Sequence, residues 1–286
     1  LIQWGERQPL VRAMLLTSSR AIPQAAIDVF SDYDVILVLR DVRPFHANRT
    51  WLEAFGPVLA VYRDPLIRER DWERSAYVTQ YEDGLKIDFS LWPFELIQAI
   101  VADGKLPDEF DAGYQVLLDK DRLTEGLPPP TYAAYIPSPP TEIAYQETVE
   151  VFLLDATYVA KLLWRDDVMA AKHILDAMMK QEHLRPMLEW HIELEHQWSV
   201  KPGPYGRRLK QCLRPDFWAD LERNYTGAEL ESNWAALFAT IRLMRRVACE
   251  VAERMGYHYP QELEQRVTAY LQKVRQLERP TANMSP

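Results

Sequence analysis

The chain has 286 residues, 48% of them hydrophobic and 26% charged, which is the composition of a folded chain with one large domain or two ordinary ones. Its 42 acidic residues outnumber its 33 basic ones and give a net charge of -9. That balance argues against nucleic acid as a partner, because a phosphate backbone needs a basic footprint, and it suits a small cationic ligand. Cys212 and Cys249 offer neither a metal spacing nor a disulfide framework. No apolar run approaches the length of a membrane span, and no charged-then-apolar leader is read at the N-terminus. The chain opens on Leu1, so a few residues are expected to precede it. A monomer in a reducing, cytoplasmic setting with no membrane partner is the expectation.

The first predicted strand is "VRAMLLT", followed at once by "SSR", Ser18 to Arg20. Next comes "SDYDVILVLRDV", where Asp32 and Asp34 precede a β-branched apolar run. "WLEAFGPVLAVYR" predicts a short helix, a glycine break and a strand. "SAYVTQYEDGLKIDFSLWP" predicts a hairpin turning at Asp83-Gly84. "FELIQAIVADG" predicts a helix closed by Gly104, and "YQVLLDKD" a last strand. This half is α/β in pattern, with a mixed sheet.

Pro128, Pro129, Pro130, Pro137, Pro139 and Pro140 fall within "LPPPTYAAYIPSPPT", a stretch that fits neither a helix nor a central strand. It reads as a stiff connector and places a boundary between residues 1–136 and 137–286. Beyond it the periodicity is helical. "TEIAYQETVEVFLLDATYVAKLLWRDD" predicts one long helix with Thr141 as its N-cap. "VMAAKHILDAMMKQEHLRPMLEWHIELEHQW" predicts two more, and residues 215 to 275 at least two further. The final "RPTANMSP" reads as a frayed tail. The expected fold is therefore α+β at the N-terminus with an all-helical C-terminal domain.

Chemistry concentrates on three aspartates. Residues two apart on a strand share a face, so Asp32 and Asp34 can converge. In "GLKIDFSLWP" the apolar residues alternate, which puts Asp88 off the apolar face. If the two strands are neighbours, three carboxylates surround one point and make a hard oxygen cage for a magnesium-type cation. An Asp-x-Asp alone is commonly a solvated turn; the third, strand-borne carboxylate favours function. Small hydroxyl residues leaving a strand, here Ser18 and Ser19, offer N–H and O–H donors to a phosphate, and Arg20 adds positive charge.

The run from Ser18 to Asp34 with Asp88 downstream resembles the nucleotidyltransferase superfamily. The segments "WLEAFG", "EDGLKIDFSLWP", "VLLDKD", "TYVAKLL" and "EWHI" narrow the resemblance to the aminoglycoside 6-adenylyltransferases, the streptomycin-modifying enzymes, over nearly the whole chain. That resemblance implies a nucleotidyltransferase domain, a helical domain and an active site between them. It implies transfer of AMP from ATP to a streptomycin hydroxyl, with release of pyrophosphate and with Mg2+ held by Asp32, Asp34 and Asp88. Two metals on shared carboxylates would activate the hydroxyl and shelter the leaving group. It assigns Ser19 and Arg20 to the phosphate loop. The family pattern there is Gly-Ser-Arg, whereas this chain has Ser18, and a serine is expected to narrow the phosphate pocket or shift the loop.

In the helical half, Glu147, Glu150, Thr157 and Lys161 share one helix face. Lys161, in "TYVAKLL", is expected at the triphosphate. Glu147 is the first choice of general base and Glu150 the second. Each is set against the ordinary reading of a solvated helix charge. "KPGPYGRRLKQCL" departs from the family's lysine pattern at Pro204 and keeps a positive charge at Arg207, a candidate phosphate contact or a plain interhelical loop residue. His191 is expected to be a hydrogen-bonded packing residue, and Trp92, beside Asp88 on its predicted strand, a candidate to stack on a ligand. The rival functions are a nucleotidyltransferase with another acceptor, including a protein side chain, and a nucleotide-binding protein that has lost turnover.

Overall fold

A computed structural model describes residues 1–278 apart from 24, 26, 70, 71, 201 and 202, so the expected frayed tail from residue 279 lies outside the described residues. The chain divides into two compact units, Leu1–Tyr135 and Ile136–Pro286. The first contains a short helix α1 (Ile2–Arg7), then strands β1 (Val11–Thr17) and β2 (Tyr33–Leu39), a short helix α2 (Arg43–Ala47), and strands β3 (Val58–Arg63), β4 (Ile67–Glu69), β5 (Trp72–Tyr81) and β6 (Lys86–Pro93). Helices α3 (Phe94–Asp103) and α4 (Asp108–Asp111) and strand β7 (Tyr114–Asp119) complete it.

The sheet runs β3-β5-β6-β2-β1-β7, with β4 paired to β5 at the side. It is mixed: β2 and β6 are parallel and the other pairings antiparallel. Alternation along the strands gives two faces. Val35, Leu37, Leu39, Ile87, Phe89 and Leu91 join one core cluster with Phe45 and Leu52, while Ile36, Val38 and Trp92 join a second with Ile97 and Phe110. The β5–β6 hairpin turns where expected: Gly84 has φ +91, and the Asp83 side chain accepts from the Leu85 N–H at 3.0 Å. Gly104 (φ +68) ends α3 and donates its N–H to the Ile100 carbonyl at 3.0 Å.

Four elements escaped the sequence reading, among them the five-residue helix α2. Helix α1 is six residues long, and its Gly5 lies so close to β1 that a Cβ there would collide with the Met14 sulfur. Strand β4 has three exposed residues, and α4 is a single turn. None is long enough to carry a periodic pattern.

The proline-rich stretch forms no helix or strand. Its first half is tied to the first unit by Asp111, whose carboxylate accepts from Thr131 N–H and hydroxyl at 2.8 and 2.7 Å and from Ala134 N–H at 3.1 Å. The second unit opens with α5 (Glu142–Trp164), and the Thr141 hydroxyl accepts the Ala144 N–H at 3.1 Å. Helices α6 (Val168–Lys172) and α7 (Arg185–Glu195) follow. The two helices expected here are one run, because residues His173–Leu184 between α6 and α7 continue it as a wider π-wound segment. The winding returns to α just before Pro186, which has no N–H to donate back into the ladder. Then come α8 (Leu209–Cys212), α9 (Pro215–Arg223), α10 (Leu230–Met255) and α11 (Gln261–Gln276) around one apolar core. Among the described residues no helix is long and apolar enough to cross a membrane.

Candidate active site

The parallel register of β2 and β6 sets Asp34 directly opposite Asp88 and Tyr33 opposite Ile87. Asp32 is one step before Tyr33, and Lys86 one step before Ile87. By strand alternation Asp32, Asp34, Lys86 and Asp88 therefore share a face, the one that carries Ile36 and Val38 further along. Lys86 Nζ lies 2.6 Å from Asp32 Oδ2 and 2.8 Å from Asp88 Oδ2. The positive group that two neighbouring aspartates require is, in this structure, a lysine from the chain itself.

The cluster is not at electrostatic rest. Asp34 is held above the usual carboxylate range, first by burial and then by the charge of Asp88, against the hydrogen bond from Ser18. The Asp88 Oδ1 atom is buried without a hydrogen-bond partner. For Lys86, burial works to lower the pKa, but the bonds to Asp32 and Asp88 prevail and the net direction is upward.

Ser18 stands at the mouth of the same site. It follows β1 in a 3-10 turn (Ser18–Ala21) and has φ +60, the left-handed region that glycine enters freely. The serine therefore keeps the backbone shape that a glycine would permit, and its hydroxyl side chain favours the ionised form of Asp34. Ser19 is half-buried in the turn. Arg20 is turned to the backbone: its guanidinium donates to the Ser31 and Asp32 carbonyls at 2.8 and 3.1 Å and lies 3.9 Å over the Tyr33 ring. Arg20 thus fixes the strand entry that carries Asp32 and Asp34.

A cavity of about 380 Å³ opens on these residues. Ser18, Asp34, Asp88 and Ser90 line it, and so do Asp64, Arg74, Glu109 and Tyr135. These last four had no role in the sequence reading. They come from loops, a strand and a single-turn helix that have no common periodicity. Trp92 lines the cavity too, but it is 6% exposed and stacks on Phe110 with ring centroids 5.3 Å apart.

The remaining candidates belong to the helical unit. Glu147 and Glu150 are exposed on α5, and among the described residues neither forms an ion pair. Lys161 is half-buried, with Nζ 5.2 Å from the centre of the Tyr158 ring. Arg207 is exposed just beyond the Pro204–Gly206 turn. His191 is buried, with Nε2 2.8 Å from Glu250 Oε2 and its ring edge-on to Phe217, as a packing residue would be.

The chemistry of the strand-borne donors fits a hard divalent cation: carboxylate oxygens, one of them buried and unpartnered, around a spot already held by a positive group. Among the described residues no three His, Cys, Asp or Glu side chains are already drawn together as a metal cage. The Asp32 and Asp88 oxygens point instead at the lysine.

An acidic cluster on paired strands, beneath a hydroxyl-bearing turn and open to a cavity, is the arrangement of a nucleotidyltransferase. The chain belongs to the family described as streptomycin adenylyltransferase, which matches residues 1–274, and it is an enzyme of this adenylyl-transferring class. It is 27% identical over 267 residues to an aminoglycoside 6-adenylyltransferase of Bacillus subtilis, covering 92% of this chain and 91% of that one. It is 26% identical over 262 residues to an aminoglycoside 6-adenylyltransferase of Campylobacter jejuni, covering 91% and 88%. A crystal structure of an aminoglycoside 6-adenyltransferase from Bacillus subtilis aligns over 96% of both chains with a TM-score of 0.49 and 23% identity.

Proposed function

We propose that this protein transfers AMP from ATP to a hydroxyl of an aminoglycoside, with streptomycin as the acceptor, and so confers resistance to it. The observation that carries this reading is the in-register pairing of Asp34 with Asp88 on parallel strands, under Ser18 and facing one cavity. Asp32, Asp34 and Asp88 would hold Mg2+. Bound there, the metal would neutralise the triphosphate and favour departure of pyrophosphate.

The chain's own residues do the rest. Ser18 and the turn that follows it offer donors to the phosphates, and Arg20 keeps the carboxylate-bearing strand entry in place. Lys161 is assigned to the triphosphate, with Arg207 a further phosphate contact. The acceptor oxygen bonds to the α-phosphorus, the bond from that phosphorus to pyrophosphate breaks, and the hydroxyl proton passes to Glu147. Glu150 holds a guanidinium of the acceptor. What supports the two glutamates is their exposure on the α5 face that also carries Lys161.

The test is pyrophosphate release from ATP and Mg2+, measured with streptomycin, with other aminoglycosides and without acceptor. Release that requires streptomycin is the expected result; no release with any aminoglycoside overturns the acceptor class. In the same assay Glu147→Gln is expected to lower kcat more than it raises the streptomycin KM, and Glu150→Gln to do the reverse. Normal rate and affinity in both variants would move the base elsewhere.

A further inference from the structure

Three carboxylates on one strand face repel one another, and among the described residues Lys86 is the only cation within ion-pair distance of any of them. Of two other nearby cations, Arg20 gives its bonds to backbone carbonyls, and Arg74, which lines the same cavity, pairs with Glu69. Lys86 is placed by the fold. It precedes Asp88 by two residues on β6, and the parallel register sets it beside Asp32. Its ammonium bridges two carboxylates across two strands, with all three side chains about three-tenths exposed.

The oxygens that Lys86 holds are Asp32 Oδ2 and Asp88 Oδ2. A small divalent cation bonds such oxygens at about 2.0–2.1 Å, and at that range its two charges repel an ammonium held on the same carboxylates. Lysine is a compact charge on a flexible four-carbon stem and can leave without moving the strand.

We propose that Lys86 is an internal surrogate cation: it holds Asp32 and Asp88 together while no metal is bound, and must be displaced for a divalent cation to enter. The inference rests on the metal role proposed above. Two consequences follow. Metal alone binds weakly, because it must break two charge-assisted bonds. Nucleotide strengthens metal binding, because its phosphates offer the released ammonium a new partner. The arrangement protects the fold from its own charge repulsion before substrate arrives and couples metal entry to nucleotide entry.

Lys86→Met keeps an unbranched stem and removes the charge; Lys86→Gln is neutral but polar, should the first variant fail to fold. Mn2+ binding is measured by electron paramagnetic resonance with no nucleotide present, and thermal unfolding is followed in chelator and in Mn2+. The expected result is Mn2+ affinity raised about tenfold over wild type, within the usual range of coupling between two sites. A lower Tm in chelator, restored by Mn2+, is expected alongside it. Variants that fold and bind Mn2+ no more tightly than wild type overturn the role of Lys86 and leave the metal reading intact. If neither wild type nor variant binds Mn2+ saturably, even with ATP added, the metal reading falls and this inference with it.

Discussion

Two carboxylates of one sheet meet opposite fates. Asp119, at the end of β7, accepts from the Leu123 N–H at 2.9 Å, the Thr124 N–H at 2.8 Å and the Thr124 hydroxyl at 2.7 Å. Burial works against its charge, but these bonds prevail and hold its carboxyl below the usual range. Around it Lys120 donates to the Gly5 and Gln8 carbonyls at 2.8 Å each, and Asp121 pairs with Arg12. Asp34, on β2, is pushed the other way by burial and by Asp88. Both belong to segments that carry the family resemblance. One acidic group is satisfied and closes a turn; the other is left unstable where a cavity opens. Residual electrostatic strain, rather than acidity or motif membership, separates the site from the scaffold.

That contrast can be broken by experiment. Asp119→Ala removes the acceptor for three backbone N–H groups, of Asp121, Leu123 and Thr124, and for a hydroxyl, and is expected to cost about 1–3 kcal/mol of stability. Its kcat is expected to stay at the wild-type value, which a melting curve and an initial-rate assay check together. A catalytic loss without a stability loss would place Asp119 with Asp34.

A pH series sharpens the comparison. The folded pKa of Asp119 is depressed, so its contribution is present above the ordinary carboxylate range and is lost as pH falls through the folded value. Asp34 is raised, so its relative stability is present below the ordinary range and is lost as pH rises through the folded value. At neutral pH, Asp119→Ala should therefore melt below wild type and Asp34→Asn at or above it. Both differences should shrink in acid. Two differences of the same sign would defeat the comparison.

The smallest effect is expected at Ser18. A non-glycine residue in the left-handed region carries about 1–2 kcal/mol of strain, which Ser18→Gly relieves. The same change removes the hydroxyl that favours the ionised form of Asp34. The two partly cancel, so stability is expected to move by under about 1 kcal/mol. ATP affinity, read by calorimetry, is expected to be unchanged or modestly tighter; marked loosening would make the serine an adapted feature of the phosphate loop.

The strands β1, β2, β5 and β6, and the shared face of Asp32, Asp34 and Asp88, were legible because alternation and β-branched runs report directly on strand faces. The proline-marked change from mixed sheet to helices was legible for the same local reason. Lys86 was visible two residues before Asp88, yet its role was not. Its contact with Asp32 depends on β2 and β6 being parallel and in one register, which neither strand encodes alone. Asp64, Glu109 and Tyr135 were illegible as cavity residues because tertiary packing, not periodicity, brings them together. The π-wound run around the buried Lys180, which bonds Asp176 and the Asn224 carbonyl, was likewise hidden in an ordinary helical pattern.

The most direct test of the central claim is pyrophosphate release by Asp34→Asn, measured with ATP, Mg2+ and acceptor alongside its melting temperature in the same buffer. The expected result is a fall in turnover of about 10²-fold or more, as when a group that stabilises transition-state charge is removed, with a melting temperature equal to or above wild type. Turnover at the wild-type rate would contradict the account.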